Sequence, residues 1–150
     1  MTSKAAVHDF LAQRSLALIG MSRGGKKFGN SIYQELSAKG YRVLPVHPTA
    51  EAIGGARCYP SLRALPEAVG GVVVVVPPAE TEKVVREAAE AGIRRVWLQQ
   101  GAESPAAVRF CEEQGMQVVH GECILMFAEP AAFYHRMHRW VWGLLGRLPQ

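Results

Sequence analysis

Residues 15–30 read SLALIGMSRGGKKFGN, and this stretch decides the fold. A short apolar run over 16–19, bounded by turn formers, has the pattern of a buried strand. The loop behind it holds Gly20, Gly24, Gly25 and Gly29 together with Ser22, Arg23, Lys26 and Lys27. Helical spacing follows in Ile32, Tyr33 and Leu36, and Gly40 closes it. Strand, glycine-rich cationic loop and helix is how a parallel α/β sheet begins when it holds a phosphate. Glycine lets the backbone approach the anion, and the helix N-terminus turns its free N–H groups toward it. A dinucleotide fingerprint, G-x-G-x-x-G from Gly20, fits poorly. It requires glycine where Ser22 stands, although Gly25 matches. It also expects an acidic residue after the second strand to hold a ribose, and here that strand runs into His47-Pro48 with no carboxylate before Glu51. The competing reading is a plain glycine-rich surface turn; three cations crowded directly behind the first strand weigh against it.

The same alternation extends outward. Thr2 or Ser3 is placed to cap a first helix with Ala6, Val7, Phe10 and Leu11 on one face. A second strand spans 41–46; Pro45 has no N–H to give a ladder, so pairing should stop there. His47-Pro48 then lies at that strand's carboxyl end, beside the loop. Residues 50–71 are rich in Gly and Pro, with an extended piece over 56–59 and a short helix from Ser61 to Pro66. Five consecutive valines at 72–76 show no polar alternation, which predicts burial on both faces in the middle of a parallel sheet. Pro77-Pro78 ends that run. A helix over 79–91, a strand over 95–98, a helix capped by Ser104 with Pro105 at its first position, and a strand over 117–119 complete the series. Strands alternating with helices predict an α/β fold: a three-layer parallel sheet with helices on both faces, in one domain over 1–150.

Composition bounds the function classes. The 150 residues carry 17 Lys and Arg against 13 Asp and Glu, a net charge of +4 that suits an anionic small molecule as well as nucleic acid. No RNA-binding signature and no C-x-x-C pair is present, so no nucleic-acid partner is expected. Cys58, Cys111 and Cys123 are scattered, which argues against a disulfide framework and suits the reducing cytoplasm. Residues 1–10 carry charges and no apolar h-region, so no signal peptide is expected there, and no apolar run is long enough for a transmembrane segment.

Topology then locates a ligand, because open α/β sheets bind at the carboxyl ends of their strands, where strand order reverses. Those ends fall at 20–25, 47–48, 77–78, 99–101 and 120–123. They carry glycine, proline, glutamine and cations, with no acid–base pair and no Ser–His–Asp order, so no catalytic residue is expected. His47, His120 and Cys123 match no zinc spacing, so no metal is expected either.

Several pieces in order carry a resemblance. They are ALIGMSR at 17–23, FGN at 28–30, GYRVLPVHP at 40–48, GGARCYPS at 54–61, VVVPP at 74–78, VWLQQG at 96–101 and VVHGECI at 118–124. Over roughly residues 5–125 the chain resembles the small stand-alone CoA-binding proteins, a family similar to the N-terminal domain of the succinyl-CoA synthetase α subunit. The resemblance implies a Rossmann-like sheet that binds coenzyme A or a short acyl-CoA, with no catalysis of its own. It implies phosphate contacts at Ser22, Arg23, Gly24 and Gly25; Gly20, Gly29, Lys26 and Lys27 are added from the glycine-rich cationic loop itself, the two lysines as compensation for the synthetase's lysine that this chain lacks. It implies ligand contacts at His47 and Pro48, at Val76 and Pro77 beside the nucleotide, and at Leu98, Gln99 and Gln100; Gly101 joins them as the close of the same strand end. Relatives usually have Asn at the place of His47, and the synthetase has a lysine at the place of Ala50. The synthetase's second domain, with its phosphorylated histidine, has no counterpart in this chain. Cys123 is read as a small semi-buried residue, the functional alternative being a mixed disulfide with CoA. Two other classes are weighed: an NADP-binding oxidoreductase, and a regulatory or interaction module with a vestigial pocket.

Residues 130–148 lie beyond the resemblance. At 100° per residue Phe133, Tyr134, Met137, Trp140, Val141, Leu144, Leu145 and Leu148 share one arc, with His135, Arg136, His138, Arg139 and Arg147 opposite. An amphipathic helix covering the sheet or the first helix is expected, ahead of a homodimer contact or a basic membrane-surface helix. Truncation after Glu129 should therefore expose apolar surface and cause aggregation. Light scattering of the truncated chain checks this; a soluble protein with unchanged stability would contradict it.

Overall fold

The apolar runs become the strands of a five-stranded sheet, beside which β3 and β4 form a small antiparallel pair. The computed structural model describes residues 3–25 and 27–128. Its elements run α1 (Lys4–Leu11), β1 (Ser15–Ile19), α2 (Phe28–Ala38), β2 (Arg42–Val46), β3 (Ala52–Ile53), β4 (Ala56–Arg57), β5 (Gly71–Val74), α3 (Pro78–Glu90), β6 (Arg95–Gln99), α4 (Pro105–Glu113) and β7 (Gln117–Glu122), with 3-10 turns at Leu62–Ala64 and Ile124–Met126. The main sheet is parallel in every pairing, in the order β2-β1-β5-β6-β7. This is the Rossmann-like α/β fold expected from the sequence. The chain moves outward from β1 to β2, then crosses back to β5 on the other side of β1. The order reverses between β1 and β5, and their carboxyl ends diverge there.

Two apolar layers hold the helices to the sheet. On one face Val7 and Phe10 of α1 and Ile32 and Leu36 of α2 pack against Leu16, Leu18, Val73 and Trp97. On the other Val84, Val85 and Ala88 of α3 and Cys111 of α4 pack against Ala17, Val72, Val74, Val96 and Leu98. Val72, Val73 and Val74 are wholly buried, as an uninterrupted valine run in a central strand requires. Each such side chain contributes about 1.5–3 kcal/mol on burial. Ser3 and Ser104 cap α1 and α4: their Oγ atoms accept from the N–H of Ala6 and of Ala107, each at 3.1 Å. No described helix is long and apolar enough to cross a membrane.

The strand limits depart from expectation in three places. Pro45 does not stop β2, whose register with β1 continues through Leu18 to Pro45 and Ile19 to Val46. The Pro45 carbonyl accepts from the Tyr59 N–H at 2.9 Å, and the His47 N–H donates to the Tyr59 carbonyl at 2.9 Å. Pro45 thus turns its missing donor outward, away from β1, and costs the sheet nothing. The regular strand of the valine run ends at Val74, two residues early; Val75 still donates its N–H to the Ile19 carbonyl of β1 at 2.8 Å, and the chain then turns toward Pro77. The last strand reaches Glu122 rather than ending at 119, and an extra residue between the pairs Leu98–His120 and Gln99–Glu122 is absorbed where Gly121 adopts φ +79°. The helix expected over 130–148 lies outside the described residues.

Glu122 at the end of β7 is buried, and its Oε2 has no hydrogen-bond partner among the described residues. Burial pushes its carboxyl up to about 7. The folded state therefore keeps a proton that the unfolded chain gives up near its ordinary value of 4.5. Stability should fall as pH rises through that interval and level off above it. Glu122→Gln, neutral throughout, should melt about 3–6 °C above wild type at pH 8 and coincide with it at pH 4.5. Thermal unfolding at the two pH values checks this; an equal difference at both would contradict it.

Candidate functional site

The site begins where side chains are excluded. Gly20, leaving β1, has φ +130°, and a Cβ there would sit 2.2 Å from the Val75 carbonyl oxygen at the exit of β5. Gly29, in the first turn of α2, has its own Cβ position 2.4 Å from the Gly20 carbonyl oxygen. Three backbone segments therefore meet directly: the ends of β1 and β5 and the start of α2. The contact seats the helix N-terminus on the carboxyl edge of the sheet. Lys27, its N-cap, brings no side-chain acceptor to the first N–H groups. The positive end of the helix dipole stays available to an anion.

The loop between is held by Asn30, which is 5% exposed. Its Oδ1 accepts from the Ser22 N–H at 3.0 Å and its Nδ2 donates to the Ser22 carbonyl at 3.0 Å. Two bonds from one buried amide to one residue's backbone fix the loop's height above the edge. Gly25 closes a turn onto the Ser22 carbonyl at 3.1 Å with φ +72°. Arg23 reaches sideways, its Nη2 donating to Thr49 Oγ1 at 2.7 Å in the turn after β2. Ser22 and Arg23 thus stand in a built loop, and the exposed Gly24 has no described atom within 4 Å of an added Cβ. Lys26 lies outside the described residues.

The turn after β2 is organised by His47. Its Nδ1 accepts from the N–H of Thr49 at 3.2 Å and of Ala50 at 2.9 Å, which leaves the ring proton on Nε2. Burial, then the charges of Arg23 and Lys27, hold this imidazole below its ordinary value, so it is neutral at pH 7.

These pieces enclose a cleft of about 340 Å³ at the point where strand order reverses. Gly20, Lys27, His47, Pro48, Val76 and Pro77 line it, all expected from the sequence. Val46, Val75, Val76 and Pro77 offer an apolar wall, while Lys27 and Lys83 offer charge; Glu80 and Glu87 of α3 also border it. An apolar wall with a few polar groups around it is the usual make-up of a small-molecule cleft. Among the described residues no cluster of His, Cys, Asp and Glu could hold a metal ion.

Leu98 to Gly101 do not line this cleft. Leu98 is fully buried among the residues facing α3 and α4. Gln99 is 2% exposed, and its Oε1 accepts from the Ile124 N–H at 3.1 Å. Gln100 and Gly101 are exposed at the end of β6. Cys123 is buried and its thiol is pushed up by that burial, which suits packing rather than nucleophilic chemistry. Sequence reading did not single out Asn30 or Thr49. For Asn30 a signal existed: an amide in the first turn of a helix, behind a glycine-rich loop, has loop backbone within reach.

A family model described as a CoA binding domain matches residues 14–129. Over 90 residues the chain is 33% identical to the ADP-forming acetate–CoA ligase II of Archaeoglobus fulgidus, covering 59% of this chain and 13% of that one. Over 126 residues it is 26% identical to the alpha subunit of the ADP-forming acetate–CoA ligase II of Pyrococcus furiosus, covering 77% and 28%. The chain thus spans less than a third of either ligase relative. Among solved structures, a conserved hypothetical protein of Pyrococcus furiosus superposes with a TM-score of 0.70 at 45% identity, covering 74% of this chain and 96% of that one.

The glycines divide into two kinds that substitution separates. Gly20→Ala and Gly29→Ala force a Cβ into backbone and should each cost about 1–3 kcal/mol of stability. Gly24→Ala meets no described atom and should stay within about 0.5 kcal/mol of wild type. Urea unfolding midpoints check this; a Gly29→Ala protein as stable as wild type would contradict the contact.

Proposed function

The chain belongs to the CoA-binding domain family, and from that premise we propose that it binds coenzyme A or a short acyl-CoA and catalyses nothing by itself. One observation carries the reading: an uncapped helix N-terminus and a cation-bearing loop stand at a cleft where the sheet order reverses. Backbone N–H groups of Arg23 and Gly24 and of the start of α2 hold the diphosphate, since those of Ser22 and Gly25 are already bonded to Asn30 and to the Ser22 carbonyl. Arg23, Lys26 or Lys27 supplies charge for the remaining phosphate. The adenine lies against Val76 and Pro77, with Pro48 and His47 opposite. The pantetheine arm passes the backbone of Gln99 and Gly101 over the end of β6, since the Gln99 side chain is already engaged with Ile124.

The ligase chemistry named for the longer relatives is not part of this proposal, because the chain covers only 13% and 28% of their lengths. Three free cysteines, all buried, suit a reducing compartment, and we place the protein in the cytoplasm.

Isothermal titration should show CoA binding, with dephospho-CoA weaker by about one to two decades, the worth of a charge-assisted contact of roughly 1.5–3 kcal/mol. That gap should shrink when Arg23, Lys26 and Lys27 are neutralised together. Gly24→Ala should weaken CoA binding while the fold persists, since its methyl occupies the anion's line of approach. The glycines at 20 and 29 cannot serve this test, because substitution there strikes the protein's own backbone. NADP binding more tightly than CoA would reject the proposal in favour of an oxidoreductase. No heat with any nucleotide would leave an interaction module.

A further inference from the structure

The turn after β2 is held by an atom that can be protonated, and it holds in turn one of the loop cations. His47 Nδ1 takes two backbone N–H donors, from Thr49 at 3.2 Å and Ala50 at 2.9 Å. Only an unprotonated ring nitrogen accepts, so the neutral ring carries its hydrogen on Nε2. A second proton has one place to go, Nδ1 itself, where it would face both N–H groups. Both bonds must then break. The backbone N–H of His47 remains bonded to the Tyr59 carbonyl, so β2 is untouched and the release is confined to residues 48–50. Thr49 within that segment is exposed, and its Oγ1 is the acceptor for Arg23 Nη2 at 2.7 Å.

We propose that His47 is a proton-sensitive clamp: its neutral Nδ1 shapes the turn, the turn holds Arg23 through Thr49, and acid releases both. His47 is a positioning residue in this role, and its effect on ligand affinity rests on the CoA reading given above. The charged groups around it set the direction. Arg23 and Lys27 reach it from the loop after β1 and oppose a further positive charge. Glu80, Lys83 and Glu87 line the far wall on α3, and Glu51 follows the turn on the exposed side. The clamp is therefore closed at neutral pH and opens in the acid range below the ordinary histidine value. An imidazolium acting simply as one more cation for the ligand would do the opposite and strengthen binding in acid, so the two effects differ in sign.

The test compares wild type with His47→Asn, whose amide oxygen offers an acceptor without a titrating proton, and uses CoA as the probe. In the ligand-free protein, amide NMR signals of Thr49 and Ala50 should move with the same midpoint as the His47 ring between pH 7.5 and 5, and stay in place in His47→Asn. By titration calorimetry, wild type should lose about tenfold more affinity for CoA than His47→Asn over that range, the worth of one charge-assisted contact. Protonation of the ligand's own phosphate affects both proteins and cancels. In Thr49→Val the extra loss should vanish, because the turn no longer reaches Arg23. Amides that ignore the ring titration would overturn the clamp. A wild type that gains affinity in acid relative to His47→Asn, or that loses none while the amides move, would overturn its coupling to Arg23. If neither protein binds CoA at any pH, the CoA reading fails, and the amide signals still decide the clamp.

Discussion

The rest of the structure depends on one contact without side chains. Gly20 and Gly29 bring the end of β1, the exit of β5 and the first turn of α2 within backbone distance of each other. This approach sets how low α2 sits on the sheet and where its N-terminus points. Any side chain at either position would lift the helix and move the loop between them. Apolar packing of Ile32 and Leu36 then supplies the energy that keeps the helix there. Placement comes from the glycines, and adhesion comes from the core.

The carboxyl edge is also where polar side chains go inside. Among the described residues the buried polar ones are Asn30, Thr81, Gln99 and Glu122. Asn30 bonds the backbone of Ser22, Thr81 donates to the Ala102 carbonyl, and Gln99 accepts from Ile124. Each ties a connecting segment at one end of the sheet, where the backbone has no ladder to join. The edge is thus assembled from side chain to backbone bonds, while the strands below it rely on apolar burial.

Much of this was legible in the sequence, for physical reasons that can be named. The valine run pointed to a central strand, and SLALIG followed by a glycine-rich loop and a helical period pointed to the opening of a parallel α/β sheet. Topology located Gly20, His47, Pro48 and Pro77 at the strand ends that border the cleft. What was not legible depended on direction and distance. Nothing in the sequence says that Pro45 turns outward, that the regular strand of the valine run ends at Val74, or that Gln99 spends its side chain on Ile124. The two roles of glycine are likewise indistinguishable as letters: Gly20 and Gly29 meet backbone, whereas Gly24 faces open space. Pairs distant in sequence, such as Arg23 with Thr49, emerge only once the strands are side by side.

The outward turn of Pro45 has a consequence for how copies of this chain meet. The rim of β2 offers no donor at Pro45, and its neighbouring carbonyl and the His47 N–H are both occupied by Tyr59. A strand from another molecule finds nothing to zip onto along that stretch. At the opposite rim β7 has only β6 beside it among the described residues. Continuous sheet growth needs two receptive rims, one to give and one to receive. A rim blocked at Pro45 and His47 disfavours open-ended growth of the sheet through its backbone on that side.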